Sequence, residues 1–174
     1  MKKQKIRRQY AALPYRWDEA GARVLLVTSL QTRRWIIPKG WPEKSARPHE
    51  LAAREAFEEA GLTGPIDAEP FGAYTYEKTV RTGRSQRCRV DVFLMRVERE
   101  LDAWPERGRR ERRWLPPAEA ALLVTDGGLV DLLLRFAAIV AASPDPAAPS
   151  SEPVAGLPSV PAALAGASGD PGRK

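Results

Sequence analysis

The stretch GWPEKSARPHELAAREAFEEAGL (residues 40–62) decides the fold of this chain. Pro48 suits the first turn of a helix, and Gly61 suits the left-handed residue that follows a helix end. An ideal helix turns by about 100° per residue, so Glu55, Glu58 and Glu59 share an arc of roughly 100°. The apolar residues on the roughly opposite side are Ala53, Ala56, Phe57 and Ala60. The pattern predicts a helix with one carboxylate face and one small apolar face that packs on a sheet.

The carboxylate face predicts a metal site. Three clustered anions repel one another and raise each other's pKa unless a cation lies among them. Carboxylates on a rigid element are hard oxygen ligands, which Mg²⁺ and Mn²⁺ prefer. A solvated acidic face is the alternative interpretation of the same pattern.

The same stretch resembles the Nudix box, Gly-x5-Glu-x7-Arg-Glu-U-x-Glu-Glu-x-Gly-U, where U is an apolar residue. The residues in register with it are Gly40, Arg54, Glu55, Ala56, Glu58, Glu59, Gly61 and Leu62. Ala46 departs from the pattern, since the family has a glutamate there, and this perturbs the loop before the helix. The resemblance implies an α/β/α sandwich with a mixed β-sheet. It also implies metal-assisted hydrolysis of a diphosphate linked to a further group, with Mg²⁺ or Mn²⁺ as cofactor.

Length and composition predict one domain and a tail. A chain of 174 residues suffices for one ordinary core. From residue 143 onward Pro, Ala, Ser and Gly dominate, so burial cannot offset the entropy lost on ordering. We therefore predict a Nudix hydrolase domain at residues 1–142 and a disordered tail at residues 143–174.

Basic residues are concentrated in the predicted domain. The net charge is +6, the tail carries −1, and residues 1–142 therefore carry +7. Arginine supplies most of this excess, notably in RTGRSQRCR (81–89) and RGRRERR (107–113). Because guanidinium groups bind phosphate oxygens in pairs, a polyanionic small-molecule substrate fits. Nucleic acid is the rival partner, and solubility or codon preference is the plainer explanation.

Other features exclude several classes of protein. A single cysteine, Cys88, excludes an internal disulfide framework and a Cys-rich zinc site. No apolar run is long enough to span a membrane, and the basic N-terminus lacks the apolar stretch of a signal peptide. We expect a cytoplasmic location and no membrane partner; the sequence leaves the oligomeric state open.

Hydrophobic patterning predicts a mixed sheet with a helix on each face. The predicted strands are residues 10–15, 23–29, 66–78, 87–97 and 112–115, with a short apolar run at 35–37. Residues 39–47 are predicted to form a loop. Beyond the first helix, the predicted helices are residues 117–124 and 128–142. Arg47 is a poor N-cap residue, so we expect a loosely defined helix start.

The resemblance implies roles for the residues of the box. Glu55, Glu58 and Glu59 are the expected metal-binding set, and the carbonyl of Gly40 is a further ligand. Arg54 resembles the family arginine that orients carboxylates through ion pairs, and its side chain can reach Glu58 one turn on.

The general base has two candidate origins. Glu58 is one candidate, acting on the attacking water. A carboxylate outside the box is the other, either Glu106 or Glu111, although an exposed charge is the ordinary interpretation of both. Members of the family differ at this point, so the sequence leaves the alternatives open.

Outside the box the chain is similar, over about residues 10–136, to the diphosphoinositol polyphosphate and diadenosine polyphosphate hydrolase branch. The shared features are Trp35, Pro38-Lys39-Gly40 and the basic stretch that ends at Trp114-Leu115. The branch often has three glycines where this chain has Lys39-Gly40-Trp41. The positions where the branch is also basic are candidate phosphate contacts: Arg7, Arg8, Lys39, Arg87 and Arg112. This similarity favours an inositol pyrophosphate or a dinucleoside polyphosphate as substrate.

Three alternatives remain at this stage. The substrate is a nucleotide sugar, ADP-ribose or a nucleoside triphosphate; or it is an RNA 5′ end, which predicts strong salt dependence; or the chain is a non-catalytic binding module. Ala46 favours the binding module, whereas the retained box glutamates argue against it. Trp41 and Tyr76 either stack on a base or pack at the rim of the site.

Overall fold

A computed structural model of the protein describes residues 5–80 and 83–143. The strands are β1 (Arg7–Asp18), β2 (Gly21–Thr28), β3 (Trp35–Ile36), β4 (Lys39–Gly40), β5 (Leu62–Thr63), β6 (Gly72–Thr79), β7 (Ser85–Arg96), β8 (Arg99–Glu100) and β9 (Arg112–Leu115). The helices are α1 (Pro48–Ala60), α2 (Pro117–Leu123) and α3 (Gly127–Ala142).

The main sheet is mixed. Its strand order is β3-β2-β1-β7-β6, with β4 added to β1 and β9 added to β2. Strands β1 and β7 are parallel, with Tyr10 opposite Asp91, whereas the pairs β1–β2 and β6–β7 are antiparallel. A second, two-stranded ladder joins β5 to β8.

Helices cover both faces of the sheet, which confirms the predicted α/β/α sandwich. On one face α2 and α3 pack on the sheet through residues that include Leu129, Leu133 and Phe136. On the other face α1 packs through Ala52, Ala56 and Ala60. Alternate residues of the central strands point to opposite cores, as a pleated strand requires; Leu13 faces α3 and Ala12 faces α1.

One strand prediction and one loop prediction need correction. The strand predicted at residues 66–78 begins only at Gly72, and Ile66 forms an isolated bridge with Met95. Between them Pro70 has no N–H to donate, although Phe71 N–H again bonds to Val92 O at 2.7 Å. The predicted loop at residues 39–47 begins with the short strand β4, in which Gly40 pairs with Tyr10 of β1. This pairing fixes the position of Gly40.

Helix α1 has the predicted bounds and an unexpected start. Gly61 follows its end with φ 68°, the left-handed conformation that glycine adopts without strain. At its start the Glu50 carboxylate accepts hydrogen bonds from the backbone N–H of Arg47 at 3.1 Å and from its guanidinium at 2.6 Å. The start is therefore held by a side chain, and the expectation of a loose start is wrong.

The predicted apolar face of α1 is shifted. The buried residues are Leu51, Ala52, Ala56, Glu59 and Ala60. Phe57 is 36% exposed and Ala53 is only partly buried, although both were predicted to pack on the sheet. The helix is rotated so that Glu59 lies at the edge of its buried face.

Two further expectations concern the C-terminal tail and membrane-spanning helices. Beyond Ser143, the predicted tail lies outside the described residues and stays a prediction. Among residues 5–80 and 83–143, no helix has the length and apolar character needed to cross a membrane.

Candidate active site

A cavity of about 550 Å³ lies beside the buried edge of α1. Glu55 and Glu59 of α1 line it, together with both residues of β4. The other lining residues are Gln9, Ser29, Leu30, Gln31, Thr32, Arg34, Ile36, Trp41, Tyr76, Glu77, Lys78, Thr79, Arg110 and Asp126. The cavity therefore has two carboxylates on one wall and several cations around them.

The Glu55 side chain of α1 lies against Gly40 of β4. A Cβ atom on Gly40 would lie 1.9 Å from Glu55 Oε1 and 2.2 Å from Glu55 Cδ. Such distances are far below van der Waals contact, so a side chain at position 40 would displace the Glu55 carboxylate. The Gly40 backbone and the Glu55 carboxylate are consequently neighbours in the site.

Glu59 is buried, with 6% of the residue exposed. Its Oε1 atom accepts a hydrogen bond from Arg110 Nη2 at 2.8 Å. Its Oε2 atom is buried without a hydrogen-bond partner. A buried carboxylate oxygen without a partner costs free energy, which marks this atom as a position for a donor or cation.

The surroundings raise the pKa of both cavity carboxyls. Burial raises the pKa of Glu55 to about 7, and the negative charges of Glu58 and Glu106 add to the shift. Burial likewise raises the pKa of Glu59, whereas Arg110 and Lys39 oppose that shift. Because arginine keeps its proton and Arg110 lies within 3 Å, we take the Glu59–Arg110 pair as charged. Burial lowers the pKa of Lys39, and Glu59 and Asp126 oppose this effect.

The predicted general-base candidates lie in different places. Glu58 is partly exposed on α1, and its carbonyl accepts a hydrogen bond from Glu106 N–H at 3.0 Å. This bond fastens the segment before β9 to the end of α1 and brings the Glu106 side chain near the site. Glu111 points away, since it is 68% exposed and pairs with Arg33 at 3.0 Å. The geometry brings Glu58 and Glu106 near Glu55 and leaves Glu111 outside.

Arg54 has a different partner from the predicted one. Its Nη1 atom bonds to Glu43 Oε2 at 2.5 Å, in the loop that follows β4. The predicted partner was Glu58. Arg54 therefore ties the loop to α1 in the described part of the chain, instead of orienting a carboxylate of its own helix.

Three of the five candidate phosphate contacts line the cavity or the smaller pocket beside it. Lys39 lines the cavity and lies 5.3 Å from the ring centre of Tyr76. Arg7 stacks at 4.2 Å over Trp41, and Arg8 lies 3.4 Å from Asp91. Arg7 and Arg8 line a smaller adjacent pocket that shares Trp41 with the main cavity.

Arg87 and Arg112 do not line either pocket. Arg87 pairs with Glu77 across the β6–β7 ladder at 3.1 Å. Arg112 bonds to the Ala60 carbonyl at 2.7 Å and stacks at 4.2 Å over Trp104. A cation at the last carbonyls of a helix satisfies groups that the helix leaves unpaired. The contacts of Arg112 thus support the end of α1.

Comparison with known proteins identifies the family. The protein-family model described as "NUDIX domain" matches residues 7–134 of the chain. The chain belongs to the Nudix family. The match covers every strand and helix of the sandwich except the last turns of α3.

Proteins with similar sequences include Nudix hydrolases from a plant and a diphosphoinositol polyphosphate phosphohydrolase from the mouse. "Nudix hydrolase 12, mitochondrial" of Arabidopsis thaliana is 38% identical over 100 residues, which cover 56% of this chain and 49% of that protein. "Diphosphoinositol polyphosphate phosphohydrolase 3-alpha" of Mus musculus is 26% identical over 117 residues, covering 66% of this chain and 67% of the relative. The chain spans only about half to two-thirds of the curated relatives it matches.

Solved structures show the same fold. A C. elegans Ap4A hydrolase superposes with a TM-score of 0.58 at 17% identity, and the match covers 78% of this chain and 98% of that one. At this identity the likeness establishes the Nudix fold alone.

Sequence reasoning missed some residues that line the cavity. Arg110 was recognised only as one member of a basic run, and Asp126 and Gln9 were not singled out. The Tyr76 hydroxyl donates to Gln9 Oε1 at 2.6 Å, which holds both at the cavity wall. No local pattern distinguishes Arg110 from the arginines beside it. Only the folded chain shows that it alone of that run lines the cavity.

Nudix hydrolases generally use divalent metal ions, and the donor set here fits one in part. Among the described residues, no three acidic, histidine or cysteine side chains lie close enough together to hold a metal ion. Nevertheless, Glu55 and Glu59 share one wall, and Glu59 Oε2 lacks a partner. The Arg110 guanidinium lies between the Glu59 and Glu106 carboxylates. Glu55 and the unpartnered Glu59 Oε2 therefore fit a divalent cation as two hard oxygen donors on one wall.

Proposed function

We propose that the protein is a metal-dependent pyrophosphohydrolase whose substrate is a polyphosphorylated small molecule, either a diphosphoinositol polyphosphate or a diadenosine polyphosphate. The observation that carries this proposal is the buried Glu59 carboxylate, which has one unpartnered oxygen at the wall of a cation-lined cavity. Nudix membership and the hydrolase relatives support the reaction class.

The box carboxylates would hold the metal. Glu55 and Glu59 line the cavity, Glu58 lies near Glu55, and the Gly40 backbone lies against the Glu55 carboxylate. These are hard oxygen donors, which suit Mg²⁺ or Mn²⁺. A divalent ion bound there supplies neutralisation of phosphate charge and a lower pKa for water.

The reaction adds water to a phosphorus atom and breaks its bond to the bridging anhydride oxygen. A carboxylate must accept the proton that the attacking water loses. Glu58 and Glu106 remain the two candidates, since both contribute negative charge at Glu55. The raised pKa of Glu55 arises from burial and from these neighbours, and a bound cation would lower it again.

The cations of the cavity favour a substrate with many phosphates. Lys39, Lys78, Arg34 and Arg110 line the main cavity, and Arg7 and Arg8 extend the positive charge beyond Trp41. A single diphosphate would not need cations over so long a surface. The mouse relative and the C. elegans structure carry names that match the two proposed substrate classes.

Phosphate release tests the proposal. The full chain is assayed with Mg²⁺ and then Mn²⁺ on diphosphoinositol polyphosphate, diadenosine polyphosphates, ADP-ribose, nucleotide sugars, nucleoside triphosphates and triphosphorylated RNA. We expect the highest kcat/KM for one of the first two substrates and no turnover after chelation of the metal.

Two outcomes would contradict the proposal. A preference for ADP-ribose, nucleotide sugars, nucleoside triphosphates or RNA would retain Nudix chemistry and reject the substrate class. Absence of turnover on every substrate, with Mn²⁺ still bound, would favour a binding module and point to Ala46.

A further inference from the structure

Arg110 is held by three parts of the fold at once. Its Nε atom donates to Glu106 Oε2 at 2.5 Å and its Nη2 atom to Glu59 Oε1 at 2.8 Å. Its Nη1 atom donates to the carbonyl of Thr28, at the end of β2, at 3.0 Å. Only 9% of its side chain is exposed. Such a guanidinium is a built internal counter-ion, unlike the exposed arginine beside it.

The neighbouring Arg109 provides the contrast. Its side chain is 61% exposed, and it approaches Glu106 only at 3.6 Å. The two residues differ by one position in the chain and carry the same charge. Their environments nevertheless differ, because Arg110 alone reaches the buried Glu59.

A buried anion needs a compensating cation. Glu59 Oε1 and Glu106 Oε2 face the same guanidinium, which occupies the space between these two oxygens. Glu59 Oε2, however, remains without a partner, so the arginine satisfies Glu59 incompletely. A divalent cation carries twice the charge and accepts carboxylate oxygens as ligands, including the unpartnered Glu59 Oε2.

We propose that Arg110 holds the place of the divalent cation and exchanges with it, so that metal binding releases the guanidinium toward the phosphates of the substrate. This inference rests on the proposed function and adds a regulatory step to it. Arg110 already lines the cavity, so its guanidinium can turn to the substrate without leaving the site. Bidentate phosphate contacts suit the released group.

The exchange couples metal to substrate. Phosphates stabilise the released guanidinium, so substrate tightens metal binding, and by thermodynamic linkage metal tightens substrate binding to the same degree. Without substrate, the ion pair competes with the metal and weakens its binding.

Mn²⁺ binding to the full chain without substrate tests the exchange. Free Mn²⁺ is measured by electron paramagnetic resonance for the wild type, Arg110→Gln and Arg109→Gln. We expect Arg110→Gln to bind Mn²⁺ at least about tenfold more tightly, because a close buried ion pair no longer competes. Arg109→Gln removes the same charge from an exposed neighbour, and we expect a change of less than about threefold.

Thermal unfolding gives a second readout. Without metal, Arg110→Gln removes the cation that bonds to the buried Glu59, so its Tm should fall below that of the wild type. Saturating Mg²⁺ should raise the Tm of the variant by more than that of the wild type, because the variant binds metal more tightly. If Arg110→Gln does not fold, Arg110→Lys replaces it; lysine keeps the charge but cannot make all three bonds, and tighter Mn²⁺ binding is again expected.

The outcomes separate the two proposals. A wild type that releases phosphate with Mn²⁺, with equal or weaker Mn²⁺ binding by the Arg110 variants, overturns the exchange alone and makes Arg110 a residue that positions Glu59. A comparable tightening in Arg109→Gln also overturns it, because general charge removal then explains the effect. A wild type that neither binds Mn²⁺ nor releases phosphate overturns the exchange and the proposed function together.

Discussion

The sheet face under α2 and α3 and the sheet face under α1 bury different kinds of side chain. The first is packed by large apolar residues such as Leu129, Leu133 and Phe136. The second is packed by three alanines of α1, and its edge holds the buried Glu59. Small residues let α1 approach the sheet closely, which brings a helix carboxylate beside β4. The difference lies in the helices: α3 packs through large apolar side chains, whereas α1 packs through small ones and leaves room for a buried carboxylate.

Glu59→Gln should produce the largest effect and confine it to activity. Glutamine keeps an oxygen that accepts from Arg110, and Glu106 still balances that arginine, so the fold should persist. Loss of a metal-binding charge should lower kcat/KM on the order of 10³-fold, equivalent to about 4 kcal/mol. Phosphate release measures this, with circular dichroism to verify folding.

Glu119→Gln on α2 is the matched control for that variant. Glu119 is exposed on the opposite face, and its removal should leave activity unchanged. Full activity in Glu59→Gln would disprove the role given to the α1 face.

Leu133→Ala should instead lower stability and leave activity unchanged. Leu133 of α3 is fully buried, so truncation should lower the free energy of unfolding by about 2–5 kcal/mol. The folded fraction should keep the wild-type kcat, because Leu133 does not line the cavity. Urea denaturation and kcat below the transition measure the two quantities; a large loss of kcat would mean that the faces are not independent.

Two glycine-to-alanine variants apply the same substitution on the two sides of the sheet, one beside Glu55 of α1 and one beside Leu132 of α3. A Cβ on Gly40 would meet the Glu55 carboxylate, and a Cβ on Gly72 would lie 2.5 Å from Leu132 Cδ2. Gly40→Ala should displace Glu55 and lower kcat by about 10–100-fold, because misplacement by about 1 Å suffices for such a loss. Gly72→Ala should instead cost about 1–3 kcal/mol of stability through overpacking. Equal effects of both variants on kcat would contradict the distinction.

The smallest expected effect is the pH dependence that Glu55 adds to stability without metal. The pKa of Glu55 is raised from 4.5 to about 7, so its stabilising contribution is complete below about pH 4.5 and is lost as pH rises through 7. Because Glu55 is partly exposed, the loss should be only on the order of 1 kcal/mol. Glu55→Gln should remove this loss, so the variant should gain stability relative to the wild type between about pH 5 and pH 8.

Urea denaturation of the chelator-treated wild type and Glu55→Gln at about pH 5 and pH 8 measures the difference in their stability. Saturating Mg²⁺ should reduce it, since a bound cation favours the ionised carboxylate. A difference that shrinks with rising pH in the metal-free protein would contradict the burial of Glu55.

Much of the fold followed from local patterns. The alternation of apolar residues in β7, the proline and glycine that bound α1, and the apolar α3 are signals that a few neighbouring residues carry. The errors arose where partners are distant in sequence. Strand β4 exists because β1 pairs with it, and Phe57 is exposed because the packing of α1 on the sheet selects a different face from that of an ideal helical projection.

The candidate site was likewise predictable from local spacing only in part. The spacing of Glu55, Glu58 and Glu59 places them on one helix face whatever surrounds it, because helix geometry is periodic. Which arginine reaches them depends on the path of the chain between β8 and β9. That path brings Arg110 to Glu59, holds Arg112 at the end of α1, and leaves Arg109 exposed.

The sequence by itself determined the Nudix box, the layered arrangement of helices and strands, and the excess of arginine, since each depends on residue type and short-range spacing. Only the tertiary structure decided that Glu59 is buried with one oxygen unpartnered, that Gly40 lies against Glu55, and that Arg110 pairs with Glu59. These contacts join residues many positions apart, and burial and charge compensation act only between groups that the fold has brought together.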